Sequence, residues 1–223
     1  METTPNINFV IAVSFIVYFT ISYAYKVLKI RNIEEALQTS RGLLLINLKH
    51  IIGILIFGLI FFFIAPEFRY LITTFQEPEW YVVILSLVVL VLSALLAYKS
   101  VKKRIKEKTE SSAIRFHHIW NYFPIRILFL FSYEFFFRGV IFFSLLQFFD
   151  IYMSIFITTI LYVLIHSFDS KAEILGAVPF GIILCFLSYA TSSIWIAFII
   201  HMTLSGVYEF NMFKHLTIKT TTS

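Results

Sequence analysis

The sequence predicts an all-α membrane protein of about seven transmembrane helices, N-terminus outside and C-terminus cytoplasmic. Three observations carry the expectation. Apolar residues make up 59% of the 223 and charged residues only 14%, with a mean hydropathy of +0.86. That leaves too little polar surface to cover a soluble domain of this length. Apolar runs of roughly 20 residues, enough to cross about 30 Å of hydrocarbon, recur along the chain. Lys and Arg gather in alternate loops, which is the signature of membrane orientation. Glycine (7) and proline (5) are sparse, so long helices are favoured over the short alternating strands of a membrane barrel.

The first span, Phe9 to Tyr25, carries no charge. No basic residue precedes it, while Lys26, Lys29 and Arg31 follow, so it reads as a membrane helix rather than a cleaved signal peptide. The second runs from Asn47 to Ala65, with Lys49 expected to snorkel to the interface, and Pro66 and Glu67 close it. The third, Trp80 to Tyr98, opens on two interface aromatics, Trp80 and Tyr81. The fourth, Tyr122 to Phe148, holds Glu134 and Arg138 in its interior. The fifth is Ile151 to Phe168, the sixth Ala172 to Tyr189 with Pro179 inside it, and the seventh Ser193 to Phe213. Ala177 and Gly181 form a small-xxx-small pair suited to close helix packing.

With alternate loops assigned to one side, every Lys and Arg outside the spans falls on that side except Arg69. The positive-inside rule makes it the cytoplasm, so the net charge of +5 reports orientation and no nucleic-acid partner. The chain divides into a three-span region, 1–121, a four-helix core, 122–213, and a polar tail, 214–223. The first region ends in a basic connector, 99–121, whose residues 99–118 read either as a surface helix on anionic headgroups or as a solvated link. The phenylalanines read as lipid-facing or packing bulk, and His50, His117 and His118 as solvated interface residues. Cys185 is the single cysteine, which leaves no internal disulfide or thiol pair.

An ionisable group inside a membrane helix costs roughly 2.5–3.5 kcal/mol on insertion scales, so it needs a partner or a purpose. Three i,i+4 pairs, each on one helix face, fit that description: Glu134 with Arg138, Tyr162 with His166, and His201 with Ser205. Each alone also reads as a self-satisfied ion pair or a packing residue. Their concentration in three of the last four spans points to one shared pocket.

Three ordered motifs carry a family resemblance: E-x-x-x-R-G from Glu134, an aromatic-x-x-x-H ending at His166, and S-I-W-x-A-x-x-x-H-x-x-x-S from Ser193 to Ser205. Together they resemble the CPBP intramembrane proteases, which include the CAAX prenyl endopeptidases and bacterial Abi and immunity proteins. The likeness spans about residues 120 to 213. It implies an endopeptidase of a multi-pass, prokaryotic cell (inner) membrane, acting on a membrane-associated peptide or protein. Glu134 and His166 would activate water, His201 and Ser205 would stabilise the oxyanion, and Arg138, Tyr162 and Tyr133 would support them. No metal is assigned, although one glutamate and two histidines could ligate zinc. Two departures stand out: Tyr133 where the family usually has a leading glutamate, and Ser205 where it usually has asparagine. The first keeps open a catalytically silent relative acting in immunity or as a scaffold. A small transporter using the same charges is a further alternative.

Overall fold

The structure, a computed structural model, describes residues 6–107 and 121–221; side chains are described through residue 215, that of residue 107 excepted. Seven helices are long and apolar enough to cross a membrane, and no strand occurs among the described residues. They are α1 (Ile7–Val27), α2 (Gly42–Ile64), α3 (Trp80–Lys106), α4 (Tyr122–Leu145), α5 (Ile151–Phe168), α6 (Lys171–Thr191) and α7 (Trp195–His215). The last continues as helix to Thr221, through the start of the expected polar tail. α2 begins at Gly42 rather than Asn47, directly after Arg41, whose left-handed backbone (φ 62°) turns the chain into the helix.

Side-chain oxygens set several starts. Asn6 caps α1, Asp150 caps α5 and Ser170 caps α6, each accepting a backbone N–H that the helix itself leaves unpaired. Burial then ranks the helices. α4 has 78% of its span window inside the protein, against 17–39% for the other six. It is the central helix, and its phenylalanines are core rather than lipid-facing: Phe129, Phe135, Phe136, Phe137 and Phe142 are all buried with Phe57 and Phe61 of α2. The outer helices expose large apolar side chains such as Ile16, Phe63, Leu87 and Tyr152, as lipid contact requires. α5 and α6 meet closely at Gly181, where an added Cβ would lie 3.2 Å from the Thr159 methyl. The expected small-residue contact is therefore present, and Pro179 sits within an unbroken α6.

Polar contacts sort the loops into two ends. At one end the short helix Ile33–Gln38 lies over the bundle. Its Glu34 accepts from Arg104 of α3 (3.3 Å) and from the Tyr208 hydroxyl of α7 (2.6 Å). Arg31 donates to the Phe168 carbonyl and pairs with Glu35. Burial pushes the Glu35 carboxyl up, but the Arg31 hydrogen bonds outweigh it and hold it below the ordinary carboxylate value. At the other end, Leu71 and Ile72 carbonyls accept from Ile194, Ser193 and Trp195. α3 carries the basic stretch as helix to Glu107. The rest of the expected surface segment, with Arg115, His117 and His118, lies outside the described residues.

Lys49 is half-buried, its ammonium over the rings of Tyr18 (5.8 Å) and Tyr25 (5.6 Å). One reading needs correction. His50 is not solvated. It is 4% exposed, stacked on Phe129 at 4.8 Å, and its Nε2 lies 3.4 Å from Arg126. Its burial follows from α2 packing against the central helix, which turns this face inward.

Candidate active site

Glu134 stands at a change of helix type. The α-helical half of α4 ends at Glu134 and a π-helical stretch, Phe135–Ile141, follows. Such wide turns within a longer helix re-aim side chains and recur at functional sites. Arg138 comes back over Glu134: Nε lies 3.3 Å from Oε2 and Nη1 donates to Oε1 at 3.4 Å, with both side chains wholly buried. The pair is not self-contained. α7 brings His201 Nδ1 to 2.5 Å from Glu134 Oε1, and the Arg138 guanidinium lies over the Tyr162 ring at 4.2 Å. A carboxylate beside Nδ1 takes the hydrogen bond from that nitrogen, so Nε2 of the neutral His201 ring is an acceptor.

His166 ends α5. The helix tightens to a 3-10 turn over His166–Phe168, and Ser170 then starts α6 with a reciprocal cap: its hydroxyl donates to Glu173 at 2.8 Å and accepts the Glu173 N–H at 3.3 Å. The extended residue between the two helices is Asp169, whose carboxylate lies 2.8 Å from His166 Nδ1. That hydrogen bond orients the ring and leaves Nε2 as the free nitrogen. It is buried and has no hydrogen-bond partner among the described residues. Asp169 is a functional candidate the sequence reading passed over. Its signal was the H-x-x-D spacing in HSFDS.

Two tyrosines join the halves. The Tyr133 ring is 6.4 Å from His166 and 5.8 Å from His201, and the Tyr162 ring is 4.7 Å and 6.4 Å from the same two imidazoles. Tyr133 is 3% exposed and its hydroxyl has no hydrogen-bond partner among the described residues. Ser205 is half-buried one turn beyond His201. Glu134, Arg138 and His201 are thus in direct contact. His166 shares their tyrosines but bonds Asp169 instead of Glu134. Among the described residues, no three His, Cys, Asp or Glu side chains form a group that could hold a metal ion.

A second polar layer lies two turns along the same helix pair. Arg126 of α4 donates to Glu209 of α7 at 2.9 Å and rests over Phe129 at 5.5 Å. Glu209 is buried and went unnoticed in the sequence because its partner sits 83 residues away.

Residues 115–207 match the family described as type II CAAX prenyl endopeptidase, Rce1-like. The match takes in Glu134, Arg138, His166, His201 and Ser205 and bears out the resemblance carried by the three motifs. α1, α2 and α3 lie outside it. No curated protein and no solved structure matches the chain.

Proposed function

We propose that this multi-pass membrane protein is an intramembrane endopeptidase that cleaves a membrane-associated, CAAX-like peptide, with His166 as the base that activates water. The carrying observation is the pair of carboxylate–imidazole contacts, Asp169–His166 and Glu134–His201, set against the same two tyrosine rings. Asp169 holds His166 in the tautomer that presents a lone pair at Nε2. That nitrogen takes a proton from water as its oxygen attacks the peptide carbonyl. The imidazolium then returns the proton to the leaving amine as the C–N bond breaks. Ser205 and Tyr133 hydroxyls are the donors available to the developing oxyanion. His201, whose Nδ1–H is committed to Glu134, donates through Nε2 only when doubly protonated. Glu134, fixed by Arg138, positions His201. No metal enters this scheme.

A second reading makes Glu134 the base, and one observation favours it: Oε2 makes no hydrogen bond among the described residues. The choice between them follows from pairing. Glu134 is 0% exposed and ion-paired with Arg138 and His201, whereas His166 Nε2 has no hydrogen-bond partner among the described residues. The test is peptide cleavage per folded molecule in detergent. His166→Ala should lower it about 10²- to 10⁴-fold without loss of folded protein. Glu134→Gln should lower the folded yield, because it strands a buried arginine, yet keep cleavage per folded molecule within about tenfold of wild type. The reverse pattern assigns the base to Glu134. A wild type inert across a panel of membrane peptides favours the silent relative that Tyr133 suggests.

A further inference from the structure

We propose that Arg31 is a positioning residue for the reaction: it holds the peptide unit between Phe168 and Asp169, and through that unit the carboxylate that orients His166. The proposal rests on the endopeptidase reading with His166 as base. It gives a part in that reaction to the segment between α1 and α2, which lies outside the family match.

The Asp169 carboxylate can direct the His166 ring only while its own backbone stays fixed. The peptide unit leading into Asp169 is held at both ends. Its N–H donates to the His166 carbonyl at 2.9 Å, and its carbonyl, that of Phe168, accepts from Arg31 Nη1 at 3.3 Å. Rotating this unit would break both hydrogen bonds and carry the Asp169 side chain away from His166 Nδ1. The Phe168 side chain is held as well. Its ring lies 4.7 Å from that of Phe19 and 5.6 Å from that of Tyr23, both on α1, and the Lys26 ammonium sits 5.3 Å from its centre. The turn that ends α5 is therefore gripped on its ring by α1 and on its backbone by the residue that leads out of α1 toward the next helix.

Local sequence aims the guanidinium. Asn32 caps the short helix Ile33–Gln38 by accepting the Glu35 N–H at 3.0 Å, and Glu35 reaches back to the Arg31 N–H at 2.8 Å, a reciprocal arrangement close to a capping box. The same carboxylate takes Arg31 Nε at 2.9 Å, which leaves Nη1 for the Phe168 carbonyl. A planar fork can serve a carboxylate and a carbonyl at once, whereas an ammonium is a point donor. The Glu35 hydrogen bond raises the guanidinium above its ordinary value against the effect of burial, and the Asp169 and Glu173 carboxylates add to the rise. With 35% of the Arg31 side chain and 20% of Glu35 exposed, the ion pair itself adds little to stability. Its consequence is the direction of Nη1.

The test uses the full-length protein in detergent and a fluorogenic, farnesylated CAAX peptide. Arg31→Met should lower kcat about tenfold to a hundredfold and leave KM within about twofold. The melting temperature should stay within about 4 °C of wild type. Arg31→Lys keeps a cation on Glu35 but lacks the fork, and should show the same loss of kcat. On an Asp169→Asn background, Arg31→Met should cost about twofold or less, because both act through one imidazole. Arg41→Gln removes an exposed cation beyond the far end of the same short helix and should leave kcat unchanged. A readout without turnover is nitrogen NMR of protein labelled in its histidine rings. The His166 signal, identified by its loss in His166→Ala, should report hydrogen on Nδ1 in wild type and a mixture of tautomers in Arg31→Met. A wild-type kcat in Arg31→Met or Arg31→Lys, a loss confined to KM, an equal loss in Arg41→Gln, full additivity with Asp169→Asn, or a tautomer unmoved by Arg31→Met overturns the proposal. A moved tautomer in a protein whose wild type cleaves no peptide would keep the Arg31 contact and reject the endopeptidase. A cleaving wild type with an unmoved tautomer would do the reverse.

Discussion

A glutamate and an arginine one turn apart in a membrane helix would ordinarily satisfy each other, and here they do so only in part. Glu134 also takes a hydrogen bond from His201, and Arg138 spends its face on Tyr162. These contacts tie α4, α5 and α7 together through side chains that cannot be desolvated singly, since breaking a buried pair costs about 3–5 kcal/mol. Asp169 has a different status. It is 27% exposed, at the end of α5, and its carboxylate is hydrogen-bonded to His166. Asp169→Asn keeps the shape but places an amide beside Nδ1 and weakens the hold on the productive tautomer. Cleavage per folded molecule should fall at least about tenfold, with thermal stability in detergent little changed. An undiminished rate would show that His166 needs no orienting carboxylate.

At the scale of the element, two π-helical stretches face each other. Ile54–Leu59 in α2 packs on α4, with Phe57 stacked on Phe136 at 4.3 Å. Gly58 makes this approach possible: an added Cβ would strike the Ser132 side chain, next to Tyr133. Gly58→Val therefore overpacks the wall of the site and should cost about 1–3 kcal/mol. It would be read as a lowered melting temperature in detergent and reduced cleavage. Gly176 of α6 is the control, because an added Cβ there meets nothing within 4 Å. Gly176→Ala should leave stability unchanged or slightly raised through helix propensity. Equal behaviour of the two variants would remove the close-approach argument.

For the whole molecule, the Lys/Arg asymmetry and the contacts agree on which loops share an end. The segments 28–41, 99–107 and 166–171 meet around Glu34, Arg31 and Phe168, and the opposite end joins Leu71 and Ile72 to α7. Which end faces the cytoplasm is set by charge. The basic end should be cytoplasmic, which puts Glu34, Asp169 and the Arg126–Glu209 pair toward that side and Glu134 deeper. Reporter fusions at Leu37 and after Thr221 should give cytoplasmic signals, and a fusion at Gln76 an outside signal. A cytoplasmic signal at Gln76 would invert the route by which peptide reaches His166.

The seven spans, and the presence of Glu134, Arg138, His166 and His201 within them, were legible in the sequence because their cause is local. Hydropathy over 20 residues decides whether a helix can enter a bilayer, and an ionisable residue there is conspicuous against its own neighbours. Pairings between helices were not legible. His50 reads as a solvated residue until α2 is seen turned toward α4, and Glu209 has no meaning before Arg126 is placed opposite it. Asp169 lay three residues from His166, yet only the 3-10 turn and the Ser170 cap aim its carboxylate at the ring. Sequence alone determined which segments cross the membrane and which residue types they carry inside. Tertiary structure decided which face of each helix is buried and which charges meet, because in lipid that choice depends on packing and on pairing every polar group across helices.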